Sequence, residues 1–149
     1  MDFKFLVISN GGVPLFEFPM NKAKLNGIDI NSVLFSGLMS AVNTFSLEAT
    51  GQIIEGIKFG AVQASFSKDG FGNLYILLSN DKVRTNVLKQ MHVEIKMLFL
   101  NSLDRIRIEI DPEKKTQIEF IADEFVINSI FDPFFRMWSK KIELKNVSV

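Results

Sequence analysis

The sequence predicts an α+β domain whose strands fall into two groups on either side of a helix. Three observations favour this fold class. Two apolar runs flank a Gly-Gly pair near the start of the chain, and an uncharged segment with helical spacing follows them. Three further strand patterns then precede a long helical pattern. The predicted order is therefore strand, strand, helix, three strands, helix, as in domains whose helices pack against a sheet.

The first two strands come from the stretch FLVISNGGVPLFEF. Residues 4–9 are almost continuously apolar, which is typical of a strand buried on both faces. Residues 13–18 form a second strand, and Pro14 restricts it to an edge of the sheet because proline has no N–H to donate. Gly11 and Gly12 supply the positive φ angles of a tight hairpin. A phosphate-binding loop would lead into a helix instead, so we interpret the glycine pair as a hairpin turn.

A first helix follows a polar linker, begins after Asp29 or Asn31 as its cap, and ends at Gly51. Apolar residues at helical spacing predict a stripe that faces the core. These residues are Leu34, Leu38, Ala41, Val42 and Phe45. The opposite side carries no charge, although a solvated helix face normally carries Lys and Glu. Its residues are Phe35, Ser36, Met39, Ser40 and Asn43. This uncharged side either meets another protein or lies under the chain's own C-terminal region.

Three more strands follow the first helix. Residues 52–59 and 61–68 show strand patterns, with clear alternation in the second. The Asp69-Gly70 turn then leads into an almost wholly apolar strand over residues 74–78. The stretch GFGN at this turn lacks the third glycine and the following helix of a dinucleotide-binding fingerprint, so we interpret it as a turn.

A long second helix begins after a cap within residues 79–81. Its core-facing positions are Val83, Val87, Leu88, Met91, Ile95, Leu98 and Phe99. Its solvent-facing positions are Thr85, Lys89, His92 and Lys96. Residues 104–110 fit both the alternation of a strand and the period of a helix, so the pattern leaves their structure open.

Two further helices are predicted towards the C-terminus. The apolar residues of the first are Ile118, Ile121, Ala122, Phe125 and Ile130. The second begins with Asp132 as its cap and Pro133 in its first turn. Its aromatic and basic residues are Phe131, Phe134, Phe135, Trp138, Lys140 and Lys141. This last helix either contacts an anionic membrane surface or a partner, or it docks its aromatic residues on the core.

Length and composition indicate one soluble domain. The 149 residues predict a single domain, with a core over residues 3–103 and a C-terminal helical extension over 104–149. Fifteen phenylalanines indicate a thick core. Lys plus Arg and Asp plus Glu both number 17, so nucleic acid is not an expected partner. Residues 30–47 are uncharged but too polar to span a bilayer, and we expect a cytoplasmic protein that is at most peripheral to membranes.

The residue types offer little support for catalysis. The chain has no cysteine, which excludes disulfides, thiolate nucleophiles and cysteine-type metal sites. His92 is the only histidine, and its position in register with lysines predicts a solvated side chain. Glu119 and Asp123 form the best carboxylate pair for a metal ion, but such pairs are usually solvated. We therefore predict no catalytic, cofactor-binding or metal-binding residue.

The order of the elements and three stretches of sequence resemble the longin and roadblock group. FLVISNGGVPLFEF resembles the opening of the first longin domain of Mon/Ccz-type exchange factors for Rab GTPases, and that of archaeal longin-like proteins. FSGLMSAVNTFS, residues 35–46, is similar to their first helix. GNLYILLSN and VLKQMHVEIKMLF resemble their last strand and the helix after it. The resemblance covers residues 3 to about 100.

The resemblance implies a five-stranded antiparallel sheet in the order 2-1-5-4-3 with helices on both faces. It also implies a protein that is not an enzyme but pairs with itself or with a related longin or roadblock subunit. Such pairs form platforms that bind a small GTPase of the Rab, Arf or Rag type and regulate nucleotide exchange in vesicle trafficking. The predicted partner interface consists of Phe16, Phe18, Phe35, Ser36, Met39, Ser40 and Asn43. The alternative is a small-molecule sensor of the PAS or GAF type, which requires an internal cavity.

Overall fold

The computed structural model describes residues 3–19, 24–25, 28–108 and 129–143 of the chain. The strands are β1 (Phe3–Asn10), β2 (Val13–Pro19), β3 (Lys24–Leu25), β4 (Ile28–Asp29), β5 (Gly56–Phe59), β6 (Val62–Lys68) and β7 (Asn73–Asn80). The helices are α1 (Ser32–Thr50), α2 (Thr85–Ile108) and α3 (residues 129–143).

Five strands form one antiparallel sheet in the order β2-β1-β7-β6-β5, and β3 pairs with β4 in a separate small hairpin. When only the five strands of the large sheet are numbered, this order is 2-1-5-4-3, so the predicted strand order is confirmed. The two most apolar strands, β1 and β7, lie side by side at the centre. Strands with apolar residues on both faces are expected at such a position.

The glycine pair joins β1 and β2 in a tight hairpin, as predicted. Gly11 and Gly12 have φ angles of 58° and 82°, and Asn10 pairs with Val13 across the turn. Positive φ at both central residues suits the twist of the flanking strands. Pro14 lies in β2, which is an edge strand, and the pairing shifts by one residue nearby. One side of an edge strand has no neighbouring strand, so the sheet needs no N–H donor on that side. Pro14 therefore fits there without losing a hydrogen bond.

Two clusters of buried side chains are built on the sheet. In β1, Leu6 and Ile8 belong to a cluster with residues of α2 and α3, whereas Phe5 and Val7 belong to a cluster that includes Met39 of α1. Strand β7 follows the same alternation. Its residues Tyr75 and Leu77 join the first cluster, and Ile76 and Leu78 join the second. The alternation follows from the strand geometry, which points successive side chains to opposite faces.

The ends of α1 match the sequence signals. The side chain of Asn31 accepts a hydrogen bond from the Leu34 backbone N–H at 3.1 Å, and Gly51 closes the helix in the left-handed conformation. The start of α2 differs from the prediction, because β7 continues to Asn80 and the helix begins only at Thr85. Residues 104–108 are helical, which answers part of the question that the pattern left open.

Several predicted features lie outside the described residues. These are residues 109–110, most of the helix predicted from Ile118 to Ile130, and the Glu119 and Asp123 pair. Helix α3 is already helical at residue 129, so Asp132 lies inside it and is not its cap. The Asp132 carboxylate instead forms an ion pair with Arg136 at 2.9 Å. Within the described ranges, no helix combines the length and apolar character needed to cross a membrane.

Candidate functional site

The side of α1 that was predicted to meet a partner packs against this chain's own sheet. Ser36, Met39 and Asn43 are only 0%, 2% and 1% exposed. Met39 belongs to the cluster that includes Phe5 and Val7 of β1. The predicted partner-facing role of this side is therefore wrong for these three residues.

Small residues explain why this side of α1 lies against the sheet. A Cβ atom added at Gly12 would lie 3.7 Å from the Ser40 Cβ and 3.8 Å from the Gly37 Cα, so the hairpin turn reaches the helix closely. Ser32 at the start of α1 donates a hydrogen bond to the Glu17 carboxylate of β2. Small side chains permit close approach here, as expected, but the approach is to β1 and β2 instead of to a second polypeptide.

Asn43 has a structural role on this buried side. Its Nδ2 donates to the Met39 carbonyl at 2.9 Å, and its Oδ1 accepts from the Ile54 N–H at 3.1 Å. A buried amide is tolerated only when its donors and acceptors are satisfied. These two bonds satisfy the side chain and fix the segment that leads from α1 to β5.

The opposite side of α1 is exposed and apolar. Leu34, Leu38 and Phe45 are 71%, 57% and 73% exposed, and Ala41 is exposed between them. With 3.6 residues per turn, these four residues form a continuous line along the helix, which we call the α1 stripe. The prediction that these four residues face the core is wrong, whereas Val42, the fifth residue of that prediction, is half-buried. The two remaining predicted interface residues of the helix, Phe35 and Ser40, are half-buried at its flanks.

The predicted contact residues of β2 are covered by α3. Phe16 and Phe18 are 4% and 7% exposed. The ring of Phe16 stacks on Phe131 at a centroid distance of 5.6 Å, and the ring of Phe18 stacks on Phe135 at 5.5 Å. These two side chains therefore belong to the core and are not available to a partner.

The aromatic residues of α3 dock on the core, which was one of the two alternatives. Phe134, Phe135 and Trp138 are buried, so the membrane or partner contact predicted for them is wrong. Lys140 and Lys141 are exposed at the surface. The Lys141 Nζ lies 4.6 Å from the centre of the Trp138 ring, a cation–π contact in which the ammonium covers the outer edge of the aromatic cluster.

A polar cleft of about 760 Å³ lies between α2 and the hairpin formed by β5 and β6. His92 of α2 is part of its wall and is 5% exposed. The imidazole lies between two serines of β6, with Nε2 2.8 Å from the Ser65 Oγ and Nδ1 2.7 Å from the Ser67 Oγ. The prediction of a solvated His92 is wrong, because the polar side of α2 faces these hydroxyls.

Burial makes His92 a weak base. Loss of solvent, together with the positive charge of Lys96, lowers the pKa of His92 from 6.5 to about 4. The imidazole is therefore neutral near pH 7. One signal for this site was present in the sequence, since Gln63, Ser65 and Ser67 place polar residues at alternating positions of β6. That alternation predicts a polar strand face, but it does not predict that a helix will cover it.

Comparison with known proteins adds no assignment. No family model and no curated protein matches the chain. The α1 stripe and the polar cleft are the two surfaces of the described part of the molecule that indicate a function.

Proposed function

We propose that this chain is a non-catalytic protein-interaction domain that pairs with a second copy of itself through the α1 stripe. The supporting observation is the exposure of Leu34, Leu38 and Phe45 on the side of α1 opposite its buried side. A helix in contact with water normally carries charged residues on that side. Exposed apolar side chains that lie next to one another, rather than scattered singly, are typical of contact surfaces.

A second copy suits this surface because the stripe contains no charge. Residues 30–47 contain no Lys, Arg, Asp or Glu, so pairing of two identical stripes brings no like charges together. The stripe from Leu34 to Phe45 extends for roughly 16 Å at 1.5 Å per residue. In an antiparallel pair with twofold symmetry, Leu34 of one copy would meet Phe45 of the other. Burial of each such side chain would contribute about 1.5–3 kcal/mol before the cost of association.

The pairing can be tested by Leu38→Glu. Leu38 is 57% exposed, so the change should leave the fold intact while placing two carboxylates in the proposed contact. We expect light scattering after gel filtration to give twice the chain mass for the original protein and a single chain mass for the variant. Met97→Glu is the matched control, because Met97 is equally exposed, at 59%, on another helix. A monomeric original protein, or an unchanged mass for Leu38→Glu, would contradict the proposal.

We further propose that the paired domain binds a small GTPase of the Rab, Arf or Rag type and influences its nucleotide exchange. Support comes from the strand order 2-1-5-4-3, which agrees with the sheet that the longin resemblance implies. The α1 stripe adds support, since a pairing surface on the first helix suits a domain that acts through paired copies. The proposal concerns a platform built by protein contacts, so it requires no reactive residue in the chain.

The GTPase proposal is tested by pull-down of purified Rab, Arf and Rag proteins loaded with GDP or with GTP. We expect one GTPase class to be retained, with a preference for one nucleotide state. If binding requires the pair, Leu38→Glu should reduce retention and Met97→Glu should not. Retention of no member in either nucleotide state would remove the GTPase from the proposal and leave the self-pairing to be judged by its own measurement.

A further inference from the structure

The polar cleft exists because the side chains on one face of the sheet change from apolar to polar towards its β5 edge. On the side that faces α2, the central strands β1 and β7 carry apolar residues such as Leu6 and Leu77. On the same side, β6 carries Gln63, Ser65 and Ser67. Helix α2 packs its apolar residues on the central strands and meets β6 with His92 and Lys96. A wedge with both polar and apolar walls therefore remains between the helix and the hairpin.

Positive charge converges on this cleft from two elements. Lys58 lies on β5 beside Gln63, and Lys89 and Lys96 lie two turns apart on α2. Lys68 contributes its backbone carbonyl, which accepts a hydrogen bond from the Lys96 Nζ at 3.5 Å. Glu55 is the one acidic side chain among the described residues that line the cleft. None of these three lysines forms a salt bridge with a residue in the described ranges. Because the whole chain carries equal numbers of positive and negative residues, this is a local concentration of charge.

The polar groups next to the lysines are held in fixed positions. The Gln63 Nε2 donates to the carbonyls of Asn80 and Val83 at 3.0 and 2.9 Å. The Ser65 Oγ lies 2.8 Å from the His92 Nε2 but 3.4 Å from the Leu77 carbonyl, so the shorter contact is the stronger hydrogen bond.

The neutral imidazole of His92 has one donor and one acceptor nitrogen, so it bonds to both serine hydroxyls. When the Ser65 hydroxyl donates to the Leu77 carbonyl, Nε2 of His92 donates to Ser65 and Nδ1 accepts from Ser67. The group formed by Ser65, His92 and Ser67 is therefore a fixed polar part of the cleft wall beside the lysines.

We propose that this cleft binds a small molecule that carries phosphate groups. Lysine ammonium groups bind phosphate oxygens as point charges, and Lys58, Lys89 and Lys96 bring three of them to the cleft. The volume of about 760 Å³ far exceeds the needs of a single inorganic ion and fits a ligand with a larger body. Leu88 and Val93 of α2 supply apolar wall for that body. A soluble nucleotide and a phosphorylated lipid headgroup share this chemistry.

The experiment uses the full chain and two kinds of probe. ATP and inositol hexakisphosphate are titrated by calorimetry as soluble probes. Phosphatidylcholine vesicles, with and without a phosphatidylinositol bisphosphate, test a lipid headgroup by flotation. We expect saturable binding of at least one soluble probe or of the phosphoinositide vesicles alone, and the arm that responds identifies the source of the phosphate.

A pair of double variants tests the location of binding. Lys89→Gln with Lys96→Gln removes two charges from the cleft, and Lys140→Gln with Lys141→Gln removes the same charge from exposed positions of α3. We expect the cleft variant to weaken binding by about tenfold or more and the control by less than about twofold. Amide NMR shifts at Ser67 on addition of the probe would confirm the site.

Three results would overturn the proposal. One is the failure of every phosphate probe to bind the original protein. Another is an equal loss of binding in both double variants, since the interaction would then depend on net charge alone. The third is binding of an acidic peptide while all phosphate probes fail, which would make the cleft a peptide groove. Leu38→Glu should leave probe binding unchanged. Failure of the phosphate proposal can therefore be distinguished from failure of the pairing proposal.

Discussion

At the scale of single residues, His92 links the unfolding free energy of this protein to pH. Its pKa falls from 6.5 to about 4 through burial and through the charge of Lys96. Between these two pH values the unfolded chain binds a proton that the folded protein does not bind. The contribution of neutral His92 to the unfolding free energy is therefore fully present above pH 6.5, and it is lost as the pH falls towards 4.

We expect the unfolding free energy to decrease by about 3 kcal/mol through this group between pH 6.5 and pH 4. His92→Gln keeps a polar side chain without a titrating group, so its stability should change less over the same interval. Urea denaturation of both proteins at half-unit pH steps measures the difference and cancels the contribution of the carboxylates. Parallel curves for the two proteins from pH 6.5 to pH 4 would contradict the assignment.

A second residue, Asp69, organises the turn between β6 and β7. Its carboxylate accepts hydrogen bonds from the backbone N–H groups of Phe71 and Asn73 at 2.8 and 3.0 Å. It also accepts from the Asn73 amide at 2.8 Å and from the Tyr75 hydroxyl at 2.6 Å. Partial burial by itself raises the pKa of Asp69, but these hydrogen bonds outweigh it, and the pKa lies below the ordinary value of 3.8.

We expect Asp69→Ala to reduce the unfolding free energy by about 1.5–3 kcal/mol, because several donors lose a charged acceptor. The loss should be complete above pH 3.8 and should shrink as the pH falls through the lowered pKa, since protonation removes the same interactions from the original protein. Chemical denaturation at pH 7 and near pH 3 measures both values. A difference that stays constant across this interval would show that the charge of Asp69 is not the cause.

At the scale of elements, the orientation of α1 decides which surface is available for contacts. Both of its sides lack charged residues over most of its length, so neither is marked as the wet side. The structure buries the side with Ser36, Met39 and Asn43, which contains two polar residues, and exposes the more apolar α1 stripe. The hairpin turn at Gly12 requires small neighbours, and Gly37 and Ser40 supply them at the half-buried flank next to this side.

Alanine substitutions at adjacent positions test this orientation. Met39 is 2% exposed, and Met39→Ala should reduce the unfolding free energy by about 2–5 kcal/mol through loss of packing in the core. Leu38→Ala should change it by less than about 0.5 kcal/mol in the monomer, since Leu38 is an exposed residue. Urea denaturation at low protein concentration avoids a contribution from pairing. A larger loss of unfolding free energy for Leu38→Ala than for Met39→Ala would mean that the opposite side of α1 faces the core.

At the scale of the whole molecule, α3 completes the core that β1 and β2 begin. Phe131 is 0% exposed and lies within 6.4 Å, between ring centres, of Phe16, Phe18, Phe134 and Phe135. Phe3 at the start of the sheet also contacts Phe135, at 5.7 Å. The two ends of the described chain therefore share one aromatic cluster, and α3 is part of the fold.

We expect Phe131→Ala to reduce the unfolding free energy by about 3–5 kcal/mol, because the substitution leaves a cavity among four rings. Phe45→Ala is the matched control, since Phe45 is 73% exposed. Thermal or urea denaturation, again at low protein concentration, compares the two. Equal effects would show that α3 packs only weakly on the sheet.

The five strands of the large sheet, the hairpin at Gly11 and Gly12, the edge position of Pro14 and both ends of α1 were predictable from the sequence. The small hairpin of β3 and β4 was not, since it lies in the predicted polar linker, and β5 begins at Gly56 instead of at residue 52. Each predictable feature depends on neighbouring residues, through a positive φ angle, a missing N–H or a side chain that caps a helix. The central positions of β1 and β7 followed from continuous apolar character, which requires burial on both faces. Local chemistry was sufficient for all of these features.

Only the tertiary structure decided the orientation of α1, the burial of His92 and the covering of Phe16 by Phe131. A helical period separates two sides of a helix, but when neither side is charged it does not identify the side that meets the sheet. His92 is buried because polar side chains of β6 face the side of α2 that carries it. Phe16 is covered by a residue 115 positions further along the chain. Contacts between residues so far apart depend on how the elements assemble, and this assembly makes the α1 stripe and the polar cleft the two surfaces to test.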